Sequence, residues 1–224
     1  MALKKLNILT IFLLGASLLM LYMAFPRFLA ELMLVPGTPI VERLNSGGDV
    51  SVEDLDIAQN SREQAVSFVD HPKAYSDLAT VFLARATVEQ DRALKTQYTE
   101  KAIESLEKTL SLAPLNTFAW LRLSFARLRT GGDDGVRLKA LEAWHMSVTT
   151  APFEPYILLS RLHLGIVLYD EMTEEDISLL QAQAQATYKW NRGLLRQYVR
   201  EKNLAEWCAF LLEANPEAAK FIAA

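Results

Sequence analysis

Thr117-Phe118-Ala119-Trp120-Leu121-Arg122-Leu123-Ser124 places an aromatic residue three positions before Leu123 and a small residue directly after it. Farther on, Ala140, Trp144, Ser147 and Pro152 follow one another at intervals of 4, 3 and 5. Residues three and four apart share one face of an α-helix, so each group reads as one helix. Between them, Thr130-Gly131-Gly132-Asp133-Asp134-Gly135 reads as a turn. Residues 117–152 therefore read as two helices joined by a turn.

The layout extends outward from this segment. Ala102, Leu106, Thr109 and Pro114 keep the same 4, 3, 5 intervals, and Tyr75-Ser76-Asp77-Leu78-Ala79 repeats the order aromatic, leucine, small. These residues resemble the tetratricopeptide repeat (TPR), a helix-turn-helix of about 34 residues with a W-x-x-L-G start and a closing proline. The match is clearest over 117–152, a unit of 36 residues whose turn is four longer than the family's. The preceding unit, about 72–114, carries a larger insertion around Ala84–Gln97, and after Pro155 the aromatic-leucine-small order is lost. The resemblance implies an α-solenoid of stacked antiparallel helix pairs whose concave surface holds a peptide or a partner helix.

From Ser51 onward the chain shows almost no alternation of period two, so 51–224 reads as one all-α domain. Ser51-Val52-Glu53-Asp54 and Thr173-Glu174-Glu175-Asp176 each have the form of an N-cap with an acid three residues on, and Asn215-Pro216-Glu217 opens a last short helix. Pro36-Gly37-Thr38-Pro39 and Asn45-Ser46-Gly47-Gly48-Asp49 mark residues 36–50 as a linker.

Leu6 to Phe25 is twenty residues without a charge, closed by Pro26 and Arg27. At about 1.5 Å per residue a helix of this length spans roughly 30 Å, the hydrocarbon thickness of a bilayer. Residues 1–35 are thus expected to be a transmembrane anchor with an interfacial segment, Arg27 to Val35. A cleaved signal peptide fits less well, because Tyr22-Met23-Ala24 and Phe28-Leu29-Ala30 put aromatics where a cleavage site wants small residues. Lys4 and Lys5 precede the span while only Arg27 and Arg43 follow closely, which favours a cytoplasmic N-terminus. The expected placement is a single-pass protein of the inner membrane with its C-terminal domain in the periplasm.

Composition narrows the function. The chain is 51% hydrophobic and 22% charged, with 23 basic and 27 acidic residues. Lys4, Lys5 and Arg27 account for all the basic residues before position 31 and no acid falls there, so 20 basic and 27 acidic residues remain, a net of −7. A domain of that sign gains little from releasing counterions on DNA or RNA, so no nucleic-acid partner is expected. Cys208 is the single cysteine, which excludes an intramolecular disulfide, and His71, His145 and His163 show no metal-ligand spacing. No cofactor, metal site or catalytic residue is expected.

One charged face stands out. Residues 177–202 hold Lys189, Arg192, Arg196, Arg200 and Lys202 against the single acid Glu201, with Tyr188, Trp190 and Tyr198 among them. Lys189, Arg192, Arg196, Arg200, Tyr188 and Tyr198 are the candidate partner-binding residues, for an anionic lipid, a glycan or an acidic protein. The bland alternative is a solvated face paired with the acidic stretch Asp170–Asp176. The expected function is a non-enzymatic, periplasm-facing scaffold that docks another envelope protein. The layout resembles bacterial envelope TPR factors that support exopolysaccharide or lipopolysaccharide assembly, or cytochrome c maturation; polysaccharide assembly is preferred, since the basic-aromatic face suits anionic glycans or lipid-linked phosphates and the sequence shows no haem-handling Cys or His group. The rival is a glycan- or lipid-phosphate-binding domain, enzymatic or not, built on Arg192, Arg196 and Arg200.

Overall fold

The computed structural model describes residues 8–131 and 134–223, and among them every regular element is helical. Lys4, Lys5 and Leu6, and Gly132 and Asp133 of the expected turn, lie outside the described residues. The chain divides into two units, Met1–Tyr98 and Thr99–Ala224.

The first unit begins with α1, Ile8–Leu34, whose 27 residues measure about 40 Å. It is long and apolar enough to cross a membrane, and side chains such as Phe12, Met20 and Tyr22 project freely from it. Pro26, which ends the uncharged run, sits inside the helix, and residues 27–34 continue it. Proline removes one backbone hydrogen bond and presses on the carbonyl four residues back. Here the loss is offset, because Ala30 and Leu34 bury against Ala65 and Ala74 and hold the next two turns in helical form.

The stretch read as a linker is largely structured. Val35–Gly37 forms a 3-10 turn and Thr38–Asn45 forms α2, which buries Ile40 and Val41 against Leu55, Ala58 and Val81. The prolines and glycine there set tight turns between packed elements, so only Ser46 to Ser51 joins α2 to α3 without helix. Helix α3, Val52–Phe68, starts in a complete capping box of Ser51 and Asp54, and α4, Pro72–Val88, is capped by His71.

Arg62 of α3 lies fully buried where these elements meet. Its Nη1 donates to the Leu34 carbonyl at 2.8 Å and to Ser61 Oγ at 2.8 Å, and its Nη2 to Thr38 Oγ1 at 3.3 Å. Its Nε and Nη2 both donate to Asp77 Oδ2 of α4, at 3.3 and 3.1 Å, and Lys73 Nζ reaches the same oxygen at 2.7 Å. One side chain thus satisfies a helix-end carbonyl of α1 and pairs with the carboxylate of α4. Gly37 makes room for it: a Cβ there would lie 2.4 Å from both Arg62 Nη1 and Ser61 Oγ.

Helix α5, Arg92–Leu112, contains the boundary between the units. In the second unit, α6, Thr117–Arg129, is capped by Asn116 and precedes α7, Asp134–Thr150. Thr117 at the start of α6 exchanges hydrogen bonds with Ser147 near the end of α7, at 2.7 and 3.0 Å, while Arg127 reaches the Lys139 carbonyl at 2.8 Å. The two helices therefore run antiparallel. Then come α8, Leu158–Val167, and α9, Glu174–Lys202, which opens in a capping box of Thr173 and Asp176. The last helices are α10, Ala205–Leu211, and α11, Pro216–Ala223.

Trp144 is fully buried and its Nε1 donates to the Arg161 carbonyl at 2.8 Å. Arg161 itself, also fully buried, bonds Ser147 Oγ, the Ala151 carbonyl and Gln183 Oε1 at 3.0, 2.9 and 3.4 Å, and bonds Thr117 Oγ1 and the Ser147 carbonyl as well. Burial pushes its guanidinium down to about 10 despite a favourable field from Glu154, so it stays charged at neutral pH. Gly165 lets α8 and α9 touch, since a Cβ would fall 2.4 Å from Leu180 Cδ1 and 3.2 Å from Trp144 Cζ2.

Replacing Arg62 by methionine leaves the buried Asp77 carboxylate with Lys73 as its cation and the Leu34 carbonyl with Thr38 Oγ1, at 2.8 Å, as its side-chain donor. The expected cost is about 3–5 kcal/mol in urea unfolding of the detergent-solubilised chain, and the double variant Arg62→Met/Asp77→Leu should recover much of it. Gly37→Ala should also destabilise, by steric displacement of Arg62.

Candidate functional site: the basic face and an apolar groove of the second unit

Helix α9 is not a single straight rod. Asn191 has non-helical angles, φ −154° and ψ 85°, and its Oδ1 accepts from the Leu194 N–H at 3.0 Å, so the segment after it restarts with its own cap. This kink divides the basic face. Arg192 and Arg196 lie over the ring of Phe221 in α11, at 5.3 and 4.9 Å, and Tyr188 meets the same ring edge-on at 6.0 Å. These three candidates form one cation-aromatic cluster. Lys189 and Arg200 are exposed. Tyr198 belongs elsewhere: its hydroxyl stands 2.6 Å from His163 Nδ1 of α8.

Two of the acids of 170–176 that could neutralise this face have other partners, Glu171 and Asp176. Glu171 is held by Arg137, at 2.8 Å between Oε2 and Nη2, and that bond keeps its carboxyl below the ordinary range. Asp176 accepts from Thr173 Oγ1 at 2.7 Å and lies 2.8 Å from His145 Nδ1. Burial would raise the Asp176 carboxyl, but the hydrogen bonds from His145 and Thr173 outweigh it and hold the group low. Beside this pair is a recess of about 410 Å³ lined by Leu138, Leu141 and Met146.

A groove of about 390 Å³ opens among α6, α8 and the end of α9. Leu121, Phe125, Leu159 and Leu164 give it apolar walls, while Arg122, His163, Tyr198 and Lys202 supply its polar groups. Burial, and secondarily the Lys202 charge, lowers the His163 imidazole below its ordinary value. Burial pushes the Tyr198 phenol up to about 12. Near neutral pH the phenol is therefore protonated and donates to a neutral imidazole, leaving Lys202 and Arg122 as the cations of the groove. It can hold apolar side chains and favour anionic groups at its edge.

Sequence reasoning found Tyr198 but not the groove, whose walls come from three helices distant along the chain. One signal was present: α6 carries Phe118, Trp120, Leu121, Leu123 and Phe125, more apolar residues than one face can bury, and Phe118 and Phe125 stay exposed. Cys208 is buried and its thiol is pushed up to about 11 by burial, which keeps it protonated at neutral pH. Among the described residues no three His, Cys, Asp or Glu side chains group as metal ligands. No family description, curated protein or solved structure matches the chain.

Two titrations follow from this geometry. By NMR, His163 should titrate below about 6.5, and Lys202→Ala should move it part of the way up. Asp176 has a folded value below its unfolded one, so its contribution to stability is complete above the unfolded carboxylate range and lost as pH falls through the folded value. His145→Ala should shrink that acid-sensitive part in unfolding curves measured from pH 7 downward.

Proposed function

We propose that the chain is a membrane-tethered, periplasm-facing TPR-like scaffold that docks a protein partner during envelope assembly, in exopolysaccharide or lipopolysaccharide biosynthesis. The observation that carries this reading is the groove of α6, α8 and α9, an apolar recess with cations beside it. It suits the insertion of a few apolar side chains from an acidic partner.

The repeat reading has support of its own. Ala102 and Ala140, Leu106 and Trp144, and Thr109 and Ser147 are buried as matched pairs, as equivalent positions in stacked helix pairs require. The antiparallel pairing of α6 with α7 is the geometry of one such unit. The apolar α1 supports the membrane tether, and the Lys4-Lys5 pair before it supports a cytoplasmic N-terminus. Tethering raises the local concentration of the groove for partners in the same membrane. A processing site on Arg192, Arg196 and Arg200 calls for a carboxylate or histidine facing the guanidiniums, whereas Arg192 and Arg196 lie over the Phe221 ring.

A photo-crosslinker at Ser160, beside the groove, should capture one specific envelope protein in intact cells. Phe125→Asp should reduce that product at least about tenfold, the loss expected for a central anchor worth more than 1.4 kcal/mol. No specific product, or one indifferent to Phe125→Asp, overturns the reading. Alkaline phosphatase fused after Ala224 should be active, and activity of a cytoplasm-only reporter there overturns the orientation.

A further inference from the structure

The turn between α3 and α4 sits at the level where α1 leaves its apolar run. Arg62 of α3 bonds the Leu34 carbonyl, whereas Ala65, with Val66 and Val69 beside it, packs in the cluster that contains Ala30. His71, just past α3, lies 2.9 Å from Glu31. Helix α3 therefore descends along α1 toward the apolar run, and its C-terminal end is the end of the unit nearest that run. At about 1.5 Å per residue, Ala30 is only about 8 Å beyond Phe25. The headgroup layer on one side of a bilayer is about 5–8 Å thick.

We propose that this end of the first unit rests on the bilayer, with Phe28 of α1 and Phe68 at the end of α3 seated in the interfacial layer and Arg27 and Lys73 directed to lipid phosphates. The proposal rests on α1 spanning the membrane and is independent of the scaffold reading. Phe28 is 63% exposed and Phe68 42%, a cost in water that an interface removes. Arg27 is exposed, and the Lys73 side chain is 61% exposed although it also pairs with Asp77. The two acids at this end are engaged, Glu31 by His71 and Asp70 by the Tyr75 hydroxyl at 2.9 Å, which limits their repulsion of anionic headgroups. The opposite end of α3, at Val52, is about 24 Å away and serves as an internal control.

The test uses the full chain in nanodiscs of phosphatidylcholine and phosphatidylglycerol, spin-labelled at Leu18→Cys, Phe68→Cys or Val52→Cys. Cys208 is buried and stays unlabelled under native conditions. Collision with oxygen reports lipid and collision with a nickel chelate reports water. Labels at 18 and 68 should favour oxygen several-fold over the label at 52. A label at 68 as open to nickel as the one at 52, or shielded from both reagents, overturns the docking while the label at 18 still reports insertion. A label at 18 that favours nickel overturns the span itself, and the docking with it.

Discussion

A guanidinium cut off from water must find acceptors for its N–H groups inside the protein, and each unit is arranged around one that does so. Arg62 meets this demand with the carboxylate of Asp77, two hydroxyls and the carbonyl that ends α1. Arg161 meets it without any carboxylate, using carbonyls and the Ser147 hydroxyl at the C-terminal end of α7, the Thr117 hydroxyl at the start of α6 and the side chain of Gln183. The partial negative charge of a helix C-terminus takes the place of a counter-ion there. A buried ion that loses one acceptor costs several kcal/mol, so each arginine fixes the spacing of every helix that touches it. Gly37 belongs to the same constraint, since a Cβ there would meet Arg62, while Gly165 leaves room for Leu180 and for Trp144, whose indole bonds the Arg161 carbonyl.

Local features were the legible ones. The capping boxes at Ser51 and Thr173, the start of the last helix at Pro216, and the burial of Ala102, Leu106, Ala140 and Trp144 all follow from patterns within one or two helical turns. The all-helical class and the long apolar first helix follow from the same short-range signals. Arg62 and Arg161 were not legible, because a charged residue in a helical pattern is ordinarily solvated and its burial depends on acceptors supplied from far along the chain. The packed α2 was hidden for a related reason: Pro36, Gly37 and Pro39 signal a turn, and nothing nearby says that Ile40 and Val41 have a core to enter.

The candidate site shows the same division. Regular spacing placed Arg192, Arg196 and Arg200 on one face, which holds within the segment after the kink. The Phe221 ring that meets two of them, and the His163 that meets Tyr198, come from other helices. Spacing along one helix says which side chains travel together. It does not say what lies opposite them, and recognition depends on that second fact.

The passage of α1 through Pro26 without a break has a mechanical consequence. A domain on a flexible leash explores a volume that grows with leash length and can turn freely about its attachment. Here the helix that enters the first unit is the same helix that forms the apolar run, and Arg62 clamps its last carbonyl. The attachment behaves as an axle: it passes rotation and tilt of the apolar run directly to the first unit, so whatever surrounds that run sets the angle at which the unit meets anything beside it.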